Sequence, residues 1–510
     1  MTKYIIAHDL GTSGNKATLF DLDGNLLCRV TCAYPTFYPK EGWVEQCPDD
    51  WWRAVCCSTK NLLEKSTASA KEVACVCFSG QMMGCLLVDA DGTPLHNMMI
   101  WADTRSTEQE LAMLREIDLQ KGYQITGHRL SASYSAAKLL WIKDNEPGIY
   151  ARAAKMLQAK DYIIMKLTGK AVTEFSDASG TNLLDIKKKE WSQELLDVFH
   201  INKNLLPDLY QSTDVAGGIT ASAAALCGLQ EGTPVVIGGG DGSCACVGAG
   251  VVEEGKTYSV LGSSSWISTA KREPDFDPHM RTFNWIHLNP DLYTPCGTMQ
   301  SAGYSVSWYR DVFGNQEAEK AKKEGVNVYH LLDAQVEKSP PGANGVMFLP
   351  YLLGERSPHW NHTARGAFVG MGISTKKSDI VRSVLEGVGF NLRSILEILE
   401  QGMDIQEITV IGGGAKGDVW IQILSDIWEK PLAVPSNVEE ATSMGAAICG
   451  GIGVGIFQDF LVADNFNKAA KYFKPQTKNK KVYQEMYSTF CKTYERLVPT
   501  YHELYYIPKI

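Results

Sequence analysis

The sequence predicts an α/β chain of two related domains with a cleft between them. Three observations carry this. The chain has 510 residues, more than a single hydrophobic core usually organises. A strand–turn–strand unit with a small-residue turn occurs twice, Leu10-Gly11-Thr12-Ser13 having its counterpart in Leu261-Gly262-Ser263-Ser264. A β-branched run ending in three glycines also occurs twice, at Val235–Asp241 and at Thr409–Ala415. The order is the same in both halves and the spacing differs, which is what duplication followed by separate insertions leaves behind. The boundary is expected near Val247–Gly255, giving domains 1–247 and 248–510, with the C-terminal helix able to pack back on the first domain.

The elements follow from local pattern. Lys3–Asp9 reads as a buried strand, Gly11–Gly14 as a turn, Lys16–Phe20 as a second strand, Asp21–Gly24 as another turn and Asn25–Tyr34 as a third strand. A glycine-rich loop between two strands is not a P-loop, which needs GxxxxGK[ST] opening a helix. The Gly11–Gly14 turn does not carry a GxGxxG dinucleotide fingerprint either. In the second half, Thr257–Leu261 and Trp266–Ala270 flank the repeated turn. Helical apolar spacing marks Glu108–Ile117, Ala136–Asp144, Asp418–Trp428 and Val482–Leu497. Ser378–Leu399 is strongly amphipathic, with Ser378 expected as its N-cap.

Composition narrows the function classes. Lys+Arg number 49 against 58 Asp+Glu, for a net charge of −9, and 45% of residues are hydrophobic. That is an ordinary globular composition, and its acidic balance argues against nucleic acid as the main partner. No run approaches the ~18 apolar residues of a bilayer span, and the N-terminal run is too short for a signal-peptide core. No membrane partner and a cytoplasmic location are therefore expected. The 14 Cys are scattered without a CxxC. The alternating pairs Cys75/Cys77 and Cys244/Cys246 read as reduced core packing, not zinc ligation.

The repeated turns carry chemistry. Gly, Thr and Ser between strands present backbone N–H groups with little obstruction, a donor array that suits phosphate. One loop per half could hold one polyphosphate between them. Asp9, just before the first loop, is placed either to ligate Mg²⁺ beside a phosphate or to close an Asx turn. Asp241 follows three glycines at a strand end. It is either a cleft carboxylate that accepts a hydroxyl proton as that oxygen attacks a γ-phosphate, or a solvated loop residue. The second triple glycine carries Ala415 where the first carries Asp241, so the halves are not equivalent. The bare surface Gly412–Lys416 fits the floor under a flat base.

Several longer segments resemble the FGGY carbohydrate kinase family, within its xylulokinase-like branch. Ser133–Asn145 is similar to the family's first signature, and Gly366–Met371 followed by Asp379–Glu386 to its second. Ile100–Arg105, Lys160–Tyr162, Ser176–Thr181, Phe348–Arg356 and Glu440–Ala447 follow the family's order. The resemblance implies two actin-like ATPase domains with ribonuclease-H-like cores and ATP between them. It implies that Asp241 is the catalytic base and that Asp9 is metal-associated. Gly11, Thr12, Ser13, Gly262, Ser263 and Ser264 would be phosphate loops, and Gly414, Ala415 and Asp418 the adenosine region. Gln81, Met82, Met83, Trp101 and Asp103 would contact the sugar beside Asp241. ATP and Mg²⁺ are the implied cofactors, and ATP with a ketopentose such as xylulose the implied substrates. A homodimer is left open.

Two departures stand out. The family's xylulokinases carry His where this chain has Met83, and Asn where it has Gly242. Both replace a polar group beside the acceptor. Either the acceptor has changed, or neighbours such as Ser79, Gln300 or Tyr304 compensate. The alternatives are therefore a kinase of ribulose, fuculose, gluconate or a glycerol-like polyol and, in a different class, an actin-like ATPase that only switches conformation. His8 is also unusual, and strand alternation sets it on the face opposite Asp9, as a packed residue.

Overall fold

In the computed structural model, which describes residues 3–507, two twisted sheets share one strand order. The first contains β1 (Tyr4–Leu10), β2 (Gly14–Asp21), β3 (Leu26–Ala33), β4 (Val73–Gly80), β5 (Val215–Gly218) and β6 (Pro234–Gly240). Its order is β5-β6-β4-β1-β2-β3. β1, β2 and β3 run antiparallel in sequence, β4 and β6 continue parallel to β1, and β5 closes the edge antiparallel. The second contains β7 (Thr257–Leu261), β8 (Ser265–Thr269), β9 (Phe283–Ile286), β10 (Tyr293–Met299), β11 (Ile408–Ile411), β12 (Leu432–Pro435) and β13 (Ala469–Phe473). Its order, β9-β10-β8-β7-β11-β12-β13, repeats the first with one added edge strand, β9. The mixed α/β fold of two ribonuclease-H-like cores is therefore present.

The repeat is correct, but one of its expected signs is not. β7 and β8 correspond to β1 and β2, so the two small-residue turns are true counterparts. The triple glycines are not. The first ends β6, the third parallel strand, whereas the second follows β11, the second parallel strand, whose counterpart is β4 ending at Gly80. Both strand ends need glycine for the same local reason. Gly238 (φ +76°) and Gly412 (φ +88°) bend over a neighbouring strand, where an added Cβ would lie 1.8 Å from Phe78 O and 2.8 Å from Leu261 O.

Period-2 alternation explains β1. Ile6 and Leu10 face the core that contains Trp51 and Val55 of helix α1 (Pro48–Ser66), while Ile5 and Ala7 face the opposite core. A strand buried on both faces reads as continuous apolar sequence. His8 lies opposite Asp9 as expected. It is fully buried, stacked on Phe78 and hydrogen-bonded to Asn15 at 3.0 Å, and burial pulls its pKa down to about 4.

Six further helices position the cleft: α2 (Asp241–Gly248), α3 (Gly303–Phe313), α4 (Lys377–Leu399), α5 (Asp418–Trp428), α6 (Ala441–Gly453) and α7 (Lys480–Tyr505). α2 was not foreseen: Asp241 opens a helix and is not a loop residue. The expected boundary at 247/248 thus falls in that helix's last turn. Ser378 is not the cap of α4; the Lys376 N–H is taken by Asp379 Oδ2 at 2.9 Å. α7 packs on α5, on α4 and on the short strand Met347–Leu349. The crossing element is α6, which packs on β1, β4 and α2. Cys75 and Cys77 lie under Gly450 of α6, and all fourteen Cys are free thiols. Among the described residues, no helix is long and apolar enough to cross a membrane.

Candidate active site

The two counterpart turns each close on a backbone hydrogen bond from the first glycine, the second turn being one residue shorter. The Gly11 N–H closes on Gly14 O at 3.1 Å, and the Gly262 N–H closes on Ser264 O at 3.0 Å. Their carbonyls are held from behind. Tyr34 OH donates to Gly11 O, and Gln46 Nε2 donates to Thr12 O at 2.6 Å. In the second turn, N–H groups at the start of α3 take the carbonyls: Ala302 and Tyr304 donate to Ser263 O, both at 3.0 Å, and Gly303 to Gly262 O at 2.9 Å. The N–H groups of Thr12, Ser13, Ser263 and Ser264 have no acceptor among the described residues. Free backbone donors in small-residue turns are what an anion cradle uses.

The second turn separates two cavities. Gly262 and Ser263 line one of about 530 Å³, whose floor is Gly413, Gly414, Gly417 and Trp420, with Lys416, Tyr329 and Asp333 at its sides. Ser264 lines the other, of about 210 Å³, together with Thr12, Met82, Met83, Trp101, Asp241 and Gly242. A glycine floor beside an indole accepts a flat ring. The smaller cavity is walled by aromatic side chains, including Tyr134, Tyr258, Trp266 and Trp285, and suits a small molecule whose carbon face packs on them.

Two carboxylates interact here, Asp241 on the smaller cavity and Asp9 outside both linings. Asp9, at the end of β1, accepts from Ser79 Oγ at 3.2 Å and lies 3.8 Å from Lys16 Nζ. Burial raises its pKa and Lys16 opposes the rise. Asp241 accepts from the Gly242 N–H at 2.7 Å. Burial, and then the negative charge of Asp9, push it up to about 7. Two carboxylates with raised pKa and one nearby ammonium make a site short of positive charge. Among the described residues, no group of three or more His, Cys, Asp or Glu could hold a metal by itself. The residues therefore fit a cation that takes one or two carboxylates and completes its shell from substrate oxygens and water, as Mg²⁺ does.

The expected site residues divide. Met82, Met83, Trp101 and Asp241 converge on the smaller cavity with Thr12 and Ser264. Trp101 Nε1 donates to Thr12 Oγ1 at 3.0 Å, joining the segment at Trp101 to the first turn. Gln81 stands behind the wall, its Nε2 donating to Gln46 Oε1 at 2.7 Å. Asp103 is fully buried, binds Arg105 and accepts the Val44 N–H, both at 2.6 Å, and is not among the residues that line the smaller cavity. Ala415 packs in the second core, while Gly413 and Gly414 line the larger cavity. Asp418 pairs with Lys471 at 2.7 Å on the surface, outside the cavity lining.

The expected compensating groups do not line the smaller cavity. Ser79 is spent on Asp9, and neither Gln300 nor Tyr304 reaches it. A Cβ at Gly242 would meet nothing within 4 Å, so the missing side chain leaves open space. The polar group missed from sequence is Arg356, in the loop after Phe348–Leu349. It lines the cavity, and its guanidinium has no hydrogen-bond or ion-pair partner among the described residues. Its place beside Trp285 and Phe283 arises only in three dimensions, although the Phe348–Arg356 segment pointed to the region.

The description "FGGY family of carbohydrate kinases" matches its N-terminal domain over residues 4–248 and its C-terminal domain over residues 257–454. Among curated proteins, the chain is similar to a xylulose kinase of Bacillus subtilis, 34% identical over 496 residues, covering 96% of this chain and 97% of that one. Among solved structures it resembles a ligand-bound xylulose kinase from Lactobacillus acidophilus, with TM-score 0.91, 28% identity and coverage of 98% and 100%. It resembles a gluconate kinase from the same organism equally, with TM-score 0.91, 28% identity and coverage of 99% and 100%.

Proposed function

The chain belongs to the FGGY family of carbohydrate kinases and is a sugar phosphotransferase, and we propose that it phosphorylates a primary hydroxyl of a small acceptor held on Asp241 at the expense of ATP. The observation that carries this is the placement of the Gly262–Ser264 turn, with two residues on the larger cavity and one on the smaller. A nucleotide with its base on the Gly413–Gly414 floor would pass its phosphates along that turn toward Thr12 and Ser13. The phosphoryl group would then stand between the two cavities, where unpaired N–H groups gather.

Asp241 orients the acceptor hydroxyl and takes its proton as that oxygen bonds the γ-phosphorus and the γ-phosphorus–bridging-oxygen bond breaks, ADP carrying off the electron pair. The transition state is loose, so positioning outweighs basicity. Asp9 would hold Mg²⁺, which when bound neutralises phosphate charge. The aromatic wall and the packing of the two lobes, proposed as 1–247 and 248–510, exclude water from the transfer. An ATPase that only switches conformation has no use for a walled acceptor cavity.

A ketopentose such as xylulose is the first reading of the acceptor, from the relatives' names. Arg356 favours a second. An unpaired guanidinium in a small cavity matches a carboxylate, as on an aldonic acid. ADP release measured with a panel of pentuloses, polyols and aldonates tests both. Acceptor-dependent release supports the kinase reading, and the acceptor used identifies the class.

A further inference from the structure

The structure holds a buried ammonium that the transfer step does not use. Lys138 lies in the helix Ser135–Asn145 and is fully buried. Its Nζ donates to Met83 O at 2.8 Å, Ile100 O at 2.7 Å and Ser133 O at 2.6 Å. These carbonyls come from three separate segments. Each segment carries a wall of the smaller cavity: Met83 itself, Trp101 next to Ile100, and Tyr134 next to Ser133.

The arrangement is stoichiometric. An ammonium has three N–H donors and a neutral amine two, so three carbonyl bonds call for the charged form. Burial pulls the pKa of Lys138 down to about 7, with the Asp103 carboxylate opposing. A charge kept in such a place must be offset by what it binds. Met83 adds a second observation. Its φ of +64° is unusual for a side chain of that size, and such a backbone persists only where its surroundings hold it. Lys138 bonds its carbonyl, and Ser135 Oγ bonds the next one, Gly84 O, at 2.7 Å.

We propose that Lys138 is a positioning residue for the acceptor: by tying three carbonyls to one point, it sets Met83, Trp101 and Tyr134 at the distances that hold the acceptor hydroxyl against Asp241. This rests on the reading of the smaller cavity as the acceptor site. A merely structural lysine would change stability. A positioning lysine changes acceptor binding and leaves the nucleotide cavity, built from other elements, untouched.

The test uses Lys138→Met, which removes all three donors, and Lys138→Gln, which keeps two. The acceptor is whichever of xylulose and gluconate gives acceptor-dependent ADP release with the wild-type enzyme. Loss of charge-assisted bonds predicts an acceptor KM raised roughly tenfold or more in Lys138→Met, with Lys138→Gln between it and wild type. The Kd for ADP is expected to stay at its wild-type value in both. An unchanged acceptor KM, or ADP affinity lost in parallel, overturns the proposal. If Lys138→Met fails to fold, amide hydrogen exchange of the wild type decides: segments 82–84, 100–102 and 133–135 are expected to open together, and independent opening overturns it. If neither probe gives acceptor-dependent ADP release, the acceptor reading is what has failed, and the exchange result still reports on the tripod.

Discussion

A Cβ placed on Gly445 would lie 1.9 Å from the carbonyl oxygen of Cys244, so α6 rests directly on the backbone of α2. The contact is reciprocal, since a Cβ on Gly248 would lie 1.8 Å from Ala441 O. α2 begins at Asp241, and α6 is preceded by Glu440, which pairs with Lys16 at 3.2 Å beside Asp9. The second half of the chain thus sets the position of the carboxylate carried by the first.

Gly445→Ala is therefore expected to push α6 off α2. The obstructing atom is backbone and cannot rotate away, so the cost should be about 1–3 kcal/mol of stability or more. Urea unfolding and kcat on the same preparation check it. Both should fall, because displacing α2 displaces Asp241.

Arg356→Met separates the two acceptor readings. If the acceptor carries a carboxylate, its KM should rise roughly tenfold to a hundredfold, the worth of charge-assisted hydrogen bonds. If the acceptor is a neutral ketose, steady-state kinetics should show a much smaller change.

The pH dependence has a defined sign. Asp241 acts as a base only when ionised, and it is pushed up to about 7 by burial first and Asp9 second. A raised carboxyl pKa leaves the group protonated below that value, so kcat/KM for the acceptor should fall as pH drops through neutrality. A profile flat from pH 5 to 8 would contradict the assignment.

Asp418→Ala should leave ADP affinity within about twofold, because this carboxylate is spent on an exposed pair with Lys471. Isothermal titration with ADP checks it.

What could be read beforehand follows from the range of each interaction. Tyr4–Ala33 and Thr257–Thr269 were legible because alternation and small-residue turns are local. α2 was not, because Asp241–Gly248 is short, made of small residues and buried nearly all round, so it has no polar face to give a 3.6-residue period. Asp103 and Asp418 sit at the expected places in the chain, yet their side chains are claimed by Arg105 and Lys471. Which partner claims a carboxylate is a tertiary fact. Arg356, Trp285 and Phe283 come from the second half and meet Met82, Met83 and Trp101 of the first in one cavity, across a separation no motif spans.

The central claim is that Asp241 activates an acceptor hydroxyl for transfer from ATP. ADP release by wild type and Asp241→Ala, each with and without acceptor, together with the Kd for ADP, tests it most directly. The account predicts acceptor-dependent release in the wild type, a loss of about 10²–10⁴-fold in the variant, and ADP binding retained in both. Release that ignores the acceptor, or a variant turning over at near wild-type rate, would contradict it.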